Sequence, residues 1–420
     1  MQSLVFEVTI WVMYLVALYY SVFWLLVVFD KGFSEKKTKL KRLPLVSVIV
    51  PAYNEEKTIG NTIKSLLSLD YPHDKLEIIA VNDGSKDNTL KVIEDIIKNN
   101  KNRNIILINQ LNQGKARSLN NGLKIAKGEF FACLDADSVV EKDALKKMLA
   151  VFQSNGSELA IVTPSMRIRN PETMLQKFQR LEYIMSITWA RFRSKLDCAH
   201  VAPGPFSLYR KEYVTKLGGF DENNLTEDQE IAYRMQKNHY RILQCPEAKV
   251  YTICPHDLKG LYRQRNRWFK GSLLNVLKYR SMMFNREYAN FGMLQMPINL
   301  FTFFTGIAAL FFLFKLSVWP LLKKLRDLYL IRFDVLPLLG NMEFSFNALF
   351  NVEFAKFFMV ITLLLLVFVW FYISHKSTDE KISRYGVVYF IPYFLAYFLI
   401  LSFISVIVFA EILRGKIQKW

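Results

Sequence analysis

Between residues 45 and 137 the chain runs four times from a short apolar stretch into a helical pattern, and every stretch ends on polar residues. Leu45-Val46-Ser47-Val48-Ile49-Val50 is mostly β-branched and reads as a buried strand. It breaks at Pro51-Ala52-Tyr53-Asn54-Glu55-Glu56, after which Ile59, Ile63, Leu66 and Leu67 recur at helical spacing. Leu76-Glu77-Ile78-Ile79-Ala80-Val81 predicts a second strand, stopping at Asn82-Asp83-Gly84-Ser85 before a helix over 89–98. A third strand over 104–109 ends at Gln113-Gly114-Lys115, with a helix over 116–126. The fourth, from Phe130, ends in Asp135-Ala136-Asp137-Ser138. Such alternation calls for an α/β fold with a parallel sheet covered on both faces. Ligands of these sheets bind outside the carboxyl ends of the strands. Tyr53, Asp83, Lys115, Asp135 and Asp137 all fall at that edge.

Two carboxylates one residue apart at a strand end are costly unless something positive lies between them. A divalent cation holding a diphosphate meets that need, because hard cations bridge carboxylates to phosphates. Asp137-Ser138 also reads as the cap of the next helix. No Gly-x-Gly-x-x-Gly follows a strand and no Gly-x-x-x-x-Gly-Lys-Ser/Thr occurs, which disfavours NAD, FAD and Walker-type ATP binding. Diphosphate binding here rests on metal and side chains.

Residues 160–255 read as the second half of the same domain. Gly204-Pro205-Phe206 is a turn entering a strand, and Gly218-Gly219-Phe220-Asp221 is another turn. Thr226-Glu227-Asp228 precedes the helical pattern Ile231, Ala232, Met235, where acids also suit a helix amino terminus. Residues 260–278 are amphipathic and basic, with Arg263, Arg265, Arg267 and Lys270 beside Leu261, Trp268, Phe269, Leu273 and Leu274. Such a segment lies in a membrane interface or carries snorkelling arginines.

The flanks are apolar. Residues 10–29 are long enough to span a bilayer. Only Glu7 is charged before them, while Lys31, Lys36, Lys37, Lys39, Lys41 and Arg42 follow. A cleaved signal would carry its positive charge first. The positive-inside rule places the amino terminus outside and residue 31 onward in the cytoplasm. Residues 293–314, 354–373 and 387–410 are further candidate spans. Residues 320–332, interrupted by Lys323, Lys324, Arg326 and Asp327, read as interfacial. Parity puts the carboxyl end outside, against which the basic tail Arg414, Lys416, Lys419 argues. The expected organisation is a span and basic segment (1–43), a cytoplasmic domain (44–257), interface helices (258–291) and carboxyl-terminal spans (292–420). The net charge of +18, without nucleic-acid or zinc-finger spacing, fits a membrane face and an anionic substrate. Cys133, Cys198, Cys245 and Cys254 match no metal-ligand spacing and read as free thiols in a reducing compartment.

Over about residues 44–275 the chain resembles the processive, membrane-embedded family-2 glycosyltransferases: poly-N-acetylglucosamine, hyaluronan and cellulose synthases. The resemblance rests on Pro51-Ala52-Tyr53-Asn54-Glu55, Asn82-Asp83-Gly84-Ser85, Asp135-Ala136-Asp137, Thr226-Glu227-Asp228 and the Gln-x-x-Arg-Trp signature in Gln264-Arg265-Asn266-Arg267-Trp268. Their ordered co-occurrence is specific where each alone is not. Asn112-Gln113-Gly114-Lys115-Ala116 and Arg167-Ile168-Arg169-Asn170 look most like the poly-N-acetylglucosamine synthases, and Gly204-Pro205-Phe206 more like hyaluronan synthases.

The resemblance implies a GT-A type, Rossmann-like nucleotide-sugar domain inserted between transmembrane helices. It implies metal-dependent inverting transfer from a UDP-sugar, best UDP-N-acetylglucosamine, to a growing β-linked polysaccharide that the spans translocate. The alternatives are a hyaluronan-type synthase using two UDP-sugars, or transfer of one sugar to a lipid. By the same resemblance the donor site comprises Ala52, Tyr53, Glu55, Asp83, Lys115, Asp135, Asp137 and Arg267. Asp83 holds the uridine and Asp137 coordinates Mg²⁺ or Mn²⁺. Asp228 is the general base, and Glu227, Gln264 and Trp268 line the acceptor site. The expected setting is the cell membrane, multi-pass, with a cytoplasmic catalytic domain, accessory subunits allowed and no nucleic acid.

Overall fold

The computed structural model describes residues 2–29, 40–333 and 354–416. Lys31, Lys36, Lys37, Lys39 and Lys419 of the basic flanks lie outside these residues.

Eight strands form one sheet: β1 (Val46–Ala52), β2 (Leu76–Asp83), β3 (Ile105–Gln110), β4 (Phe130–Cys133), β5 (Val139–Val140), β6 (Leu159–Ile168), β7 (Ser207–Arg210) and β8 (Arg241–Thr252). Their order is β3-β2-β1-β4-β7-β6-β8-β5. The first four are parallel, with Ile49 beside both Ile79 and Cys133. The period-2 alternation of a strand sends neighbours to opposite faces. Val46, Val48, Val50, Ile78, Ala80, Phe130 and Ala132 thus join one core with Ile59, Ile63 and Leu66 of the helix Ile59–Leu67. Ile49, Ile79, Val81, Phe131 and Cys133 join the other with Leu119 and Leu123 of the helix Lys115–Ile125. Both faces are covered, which is why these strands read as unbroken apolar runs.

The second half departs from the all-parallel expectation. β7 runs antiparallel to β4 and to β6, β6 and β8 are parallel, and β5 returns antiparallel to β8. The connection from β6 to β7 carries the 22-residue helix Met174–Lys195, and β7 then enters between β4 and β6 in the reverse sense.

Among the described residues four helical stretches are long and apolar enough to cross a membrane: Glu7–Val28, Phe291–Leu313, Phe357–Ser377 and Val388–Leu413. They match the expected apolar runs. A further helix, Trp319–Leu330, carries the interrupted basic stretch and buries none of its residues. Single π-helical turns occur at Phe291–Gln295, Phe314–Val318 and Tyr393–Tyr397. In the first two, a proline further along the helix (Pro297, Pro320) has no N–H for the carbonyl four residues before it, which lies within the turn. Gly306 lets its helix approach Ser402 and Ser405 of the last span closely.

These candidate spans meet the domain through two further helices. Met174–Lys195 packs Phe178 and Leu181 against Leu261, Phe371, Tyr393 and Tyr397. Its Trp189 meets Trp24 of the first span edge-on, centroids 5.0 Å apart, and stacks on Trp370 at 4.7 Å. The second helix, Leu258–Lys278, carries the Gln-x-x-Arg-Trp signature and packs Leu273 against Phe303, Ile404 and Val408. Two cations of this helix neither snorkel nor face lipid headgroups: Arg265 and Lys270 are buried and ion-paired to Glu182 and Glu411. All four cysteines are buried free thiols.

Candidate active site

Asp83 closes β2 and is buried. Its Oδ1 accepts hydrogen bonds from Gln110 Nε2 at 2.8 Å and the Gln113 backbone N–H at 2.9 Å. Its Oδ2 accepts from the Gly114 N–H at 2.9 Å. Gly114 has φ +91°, a conformation open to glycine, and the helix Lys115–Ile125 starts directly after it. Asp83 therefore fixes the point from which the Lys115 side chain departs.

Lys115 Nζ lies 2.6 Å from Asp135 Oδ1 and 3.1 Å from Glu227 Oε1. It spans from the loop after β3, across the end of β4, to the start of the helix Glu227–Lys237. Burial alone would lower its pKa, but Asp135, Glu227 and Asp228 outweigh burial and hold the ammonium charged. Gly204 abuts this pair: a Cβ there would stand 2.7 Å from Nζ and 2.8 Å from Asp135 Oδ2. No side chain fits at position 204 while the ion pair stands.

Asp137 Oδ1 accepts from Ser138 Oγ at 2.9 Å and from Thr252 Oγ1 at 3.4 Å. Burial, reinforced by the neighbouring Asp135 charge, pushes its carboxyl up to about 6. Among the described residues no three His, Cys, Asp or Glu side chains are grouped as a self-sufficient metal site. One or two carboxylates completed by phosphate oxygens is the arrangement hard cations adopt with phosphate ligands, and Asp137 beside Asp135 suits it.

Asp228 is the second residue of the helix Glu227–Lys237, and its Oδ1 accepts the Gln229 N–H at 2.8 Å. Burial and then Glu227 raise its carboxyl to about 6, against the pull of Lys115 and Arg267. The helix is tied to the signature helix and the residue after it by polar contacts. Glu230 accepts from Lys278 Nζ at 2.9 Å and Tyr279 OH at 2.6 Å, and Asn275 Nδ2 donates to Thr226 Oγ1 at 3.1 Å. Gly271 allows this approach, since a Cβ there would overlap Thr226.

One cavity of about 460 Å³ joins these parts. Of the residues singled out in the sequence, its wall brings together Lys115, Asp135, Asp137, Glu227, Asp228, Gln264, Arg267 and Trp268. Ala52, Tyr53, Glu55 and Asp83 are not in that wall and sit where β1 and β2 end. Ala52 is buried, whereas Tyr53 is 43% exposed. Burial raises the Glu55 carboxyl, opposed by the Thr58 hydroxyl and reinforced by Asp135. Sequence reasoning assigned no site role to Gly204, although the Gly204-Pro205-Phe206 motif marks it. It also missed the wall formed by the helix Met174–Lys195, which contributes Tyr183, Ser186, Ile187 and Ala190. Small and apolar residues at helical spacing read as core whether they face a core or a cavity.

Residues 47–218 match the family described as Glycosyl transferase family 2. A poly-β-1,6-N-acetyl-D-glucosamine synthase of Staphylococcus epidermidis is 36% identical over 236 residues, covering 56% of this chain and 56% of that protein. The synthase of Staphylococcus aureus strain COL is 36% identical over 228 residues, 54% of each chain. The chain thus spans about half the length of the curated relatives it matches. Among solved structures, a mannosyltransferase from Pyrobaculum calidifontis in complex with GDP-Man and Mn²⁺ superposes with a TM-score of 0.55. It is 20% identical, covers 70% of this chain and 83% of that chain, and supports the GT-A-like fold. Segment 47–218 is therefore a family 2 glycosyl transferase domain, set in a chain that resembles the poly-N-acetylglucosamine synthases.

Proposed function

We propose that this chain is an inverting glycosyltransferase that polymerises UDP-N-acetylglucosamine into a β-linked polysaccharide and passes the product across a membrane through its spans. The observation that carries this reading is the single cavity shared by Lys115, Asp137, Asp228 and Arg267. The names of the Staphylococcus relatives support the sugar and the polymer.

Asp137, with Asp135 beside it, would hold Mg²⁺ or Mn²⁺; when bound, the ion neutralises charge on the departing diphosphate. Lys115 stays charged and adds a fixed positive group. The planar guanidinium of Arg267 suits paired phosphate oxygens. Glu227 is ion-paired to Lys115, whereas Asp228 faces the cavity with its Oδ1 accepting the Gln229 N–H. Asp228 is thus the carboxylate left to take the proton from the acceptor hydroxyl. The hydroxyl oxygen attacks the anomeric carbon opposite the leaving diphosphate, so the configuration inverts without a covalent sugar intermediate. Trp268 offers an indole face to the acceptor ring, with Gln264 beside it. Asp83 holds the uridine edge through its control of the 113–115 loop. The domain works on the cytoplasmic side of a multi-pass membrane protein.

The test is to incubate membranes carrying the full chain with single UDP-sugars, then pairs, and to size the product. A polymer from UDP-N-acetylglucosamine alone, protected inside inverted vesicles, is the expected result. A requirement for UDP-glucuronate points to the hyaluronan-type reaction, and a single sugar on lipid to non-processive transfer. No transfer from any UDP-sugar overturns the reading.

A further inference from the structure

The signature helix has two working faces. Gln264, Arg267 and Trp268 line the cavity, while Arg265 turns toward the spans. Arg265 is 1% exposed, and its Nη2 donates to Glu182 Oε2 at 2.6 Å and to Tyr397 OH at 3.3 Å. Tyr397 OH in turn donates to the same Glu182 oxygen at 2.6 Å. This closed triangle takes one residue from each of three elements: the wall helix Met174–Lys195, the signature helix and the last span. Arg265 Nε and Nη1 are buried without a hydrogen-bond partner among the described residues, so Glu182 and Tyr397 are its polar supports. The Trp268 ring lies against the guanidinium, 4.2 Å from its carbon.

Burying an ion pair seldom adds stability over apolar residues of similar volume, so its use here is geometric. A second observation agrees. Tyr397 ends the π-helical turn Tyr393–Tyr397, a local widening often kept at functional sites. That turn places Tyr393 and Tyr397 in one cluster with Phe178 and Leu261.

We propose that Glu182 and Tyr397 are positioning residues for acceptor binding: through Arg265 they set the seat of Trp268, so the last span governs how the acceptor end is held. The proposal rests on the glycosyltransferase reading for its kinetics and stands apart from it for the position of Trp268. The experiment compares the full chain in membranes with Tyr397→Phe and with Tyr393→Phe, whose ring stacks on Tyr397 from outside the triangle. Trp268 emission is read as the difference between each protein and its Trp268→Phe derivative. For Tyr397→Phe the KM for an added N-acetylglucosamine oligosaccharide should rise about tenfold, as expected for losing a hydrogen bond to a charged network. The KM for UDP-N-acetylglucosamine should stay within about twofold, since none of the donor-side groups changes. The Trp268 emission should shift, and Tyr393→Phe should do none of these things. Unchanged Trp268 emission in Tyr397→Phe, or the two KM values rising together, overturns the proposal. If wild type transfers no sugar, the functional reading fails while the emission still decides the positioning role.

Discussion

The two sides of the cavity are held in different ways. On the donor side, Lys115 and Asp135 stand beyond the ends of parallel strands, and Asp83, behind the cavity wall, fixes the loop before Lys115 by accepting backbone N–H groups on its carboxylate. On the acceptor side, Asp228, Gln264 and Trp268 stand on two helices braced by side-chain pairs. Those pairs reach as far as Glu411 and Tyr397 in the last span. Sheet geometry is stiff and local, whereas the helix pair owes its position to partners distant in sequence. The donor side should therefore resist disturbance in the membrane, and the acceptor side should respond to it.

The sharpest cut is Asp228→Asn, which removes the proposed base and leaves the donor side intact. Transfer should fall roughly 10²–10⁴-fold while UDP affinity, measured by calorimetry, holds. In wild type the same group should give an acid limb in kcat/KM near pH 6, because the carboxylate must shed the proton that burial and Glu227 help it keep. Next comes Glu411→Leu. Its carboxylate accepts from Lys270 at 2.6 Å, Asn266 at 2.9 Å and Tyr262 at 3.2 Å. Stranding the buried Lys270 should cost about 3 kcal/mol in thermal unfolding, and Lys270→Met in the same chain should restore much of it. Gly204→Ala breaks the other side. With a methyl forced onto the Lys115–Asp135 pair, kcat/KM for the donor should drop at least about tenfold, with acceptor KM unchanged. Thr252→Val removes only the long hydrogen bond to Asp137 and should change the rate less than about threefold.

The same contrast explains what could be read from the chain. Val48, Ile49 and Val50 announce a strand buried on both sides, and a strand end is where Asp83 and Asp135 had to be. Residue order and local pattern carry that much. The return of β7 between β4 and β6 was not legible, because an apolar pattern marks a strand without naming its neighbours or its sense. Nor were the partners of Arg265 and Lys270. Helical spacing shows that these cations share a face, but Glu182 and Glu411 lie 83 and 141 positions away in sequence, and periodicity names no partner. Gly204 had a motif but no visible reason. Its reason is the ion pair it touches, which exists only once β4, the helix Lys115–Ile125 and the helix Glu227–Lys237 have met.

The packed indoles of Trp24, Trp189 and Trp370 have a mechanical consequence. Trp189 shares its helix with Ile187 and Ala190 of the cavity wall, and its neighbours belong to two separate spans. Spans tilt to match the thickness of the hydrocarbon around them. If these helices span a bilayer as proposed, tilt in either would lean on the wall through the aromatic rings, and lipid chain length would become a variable of the cavity.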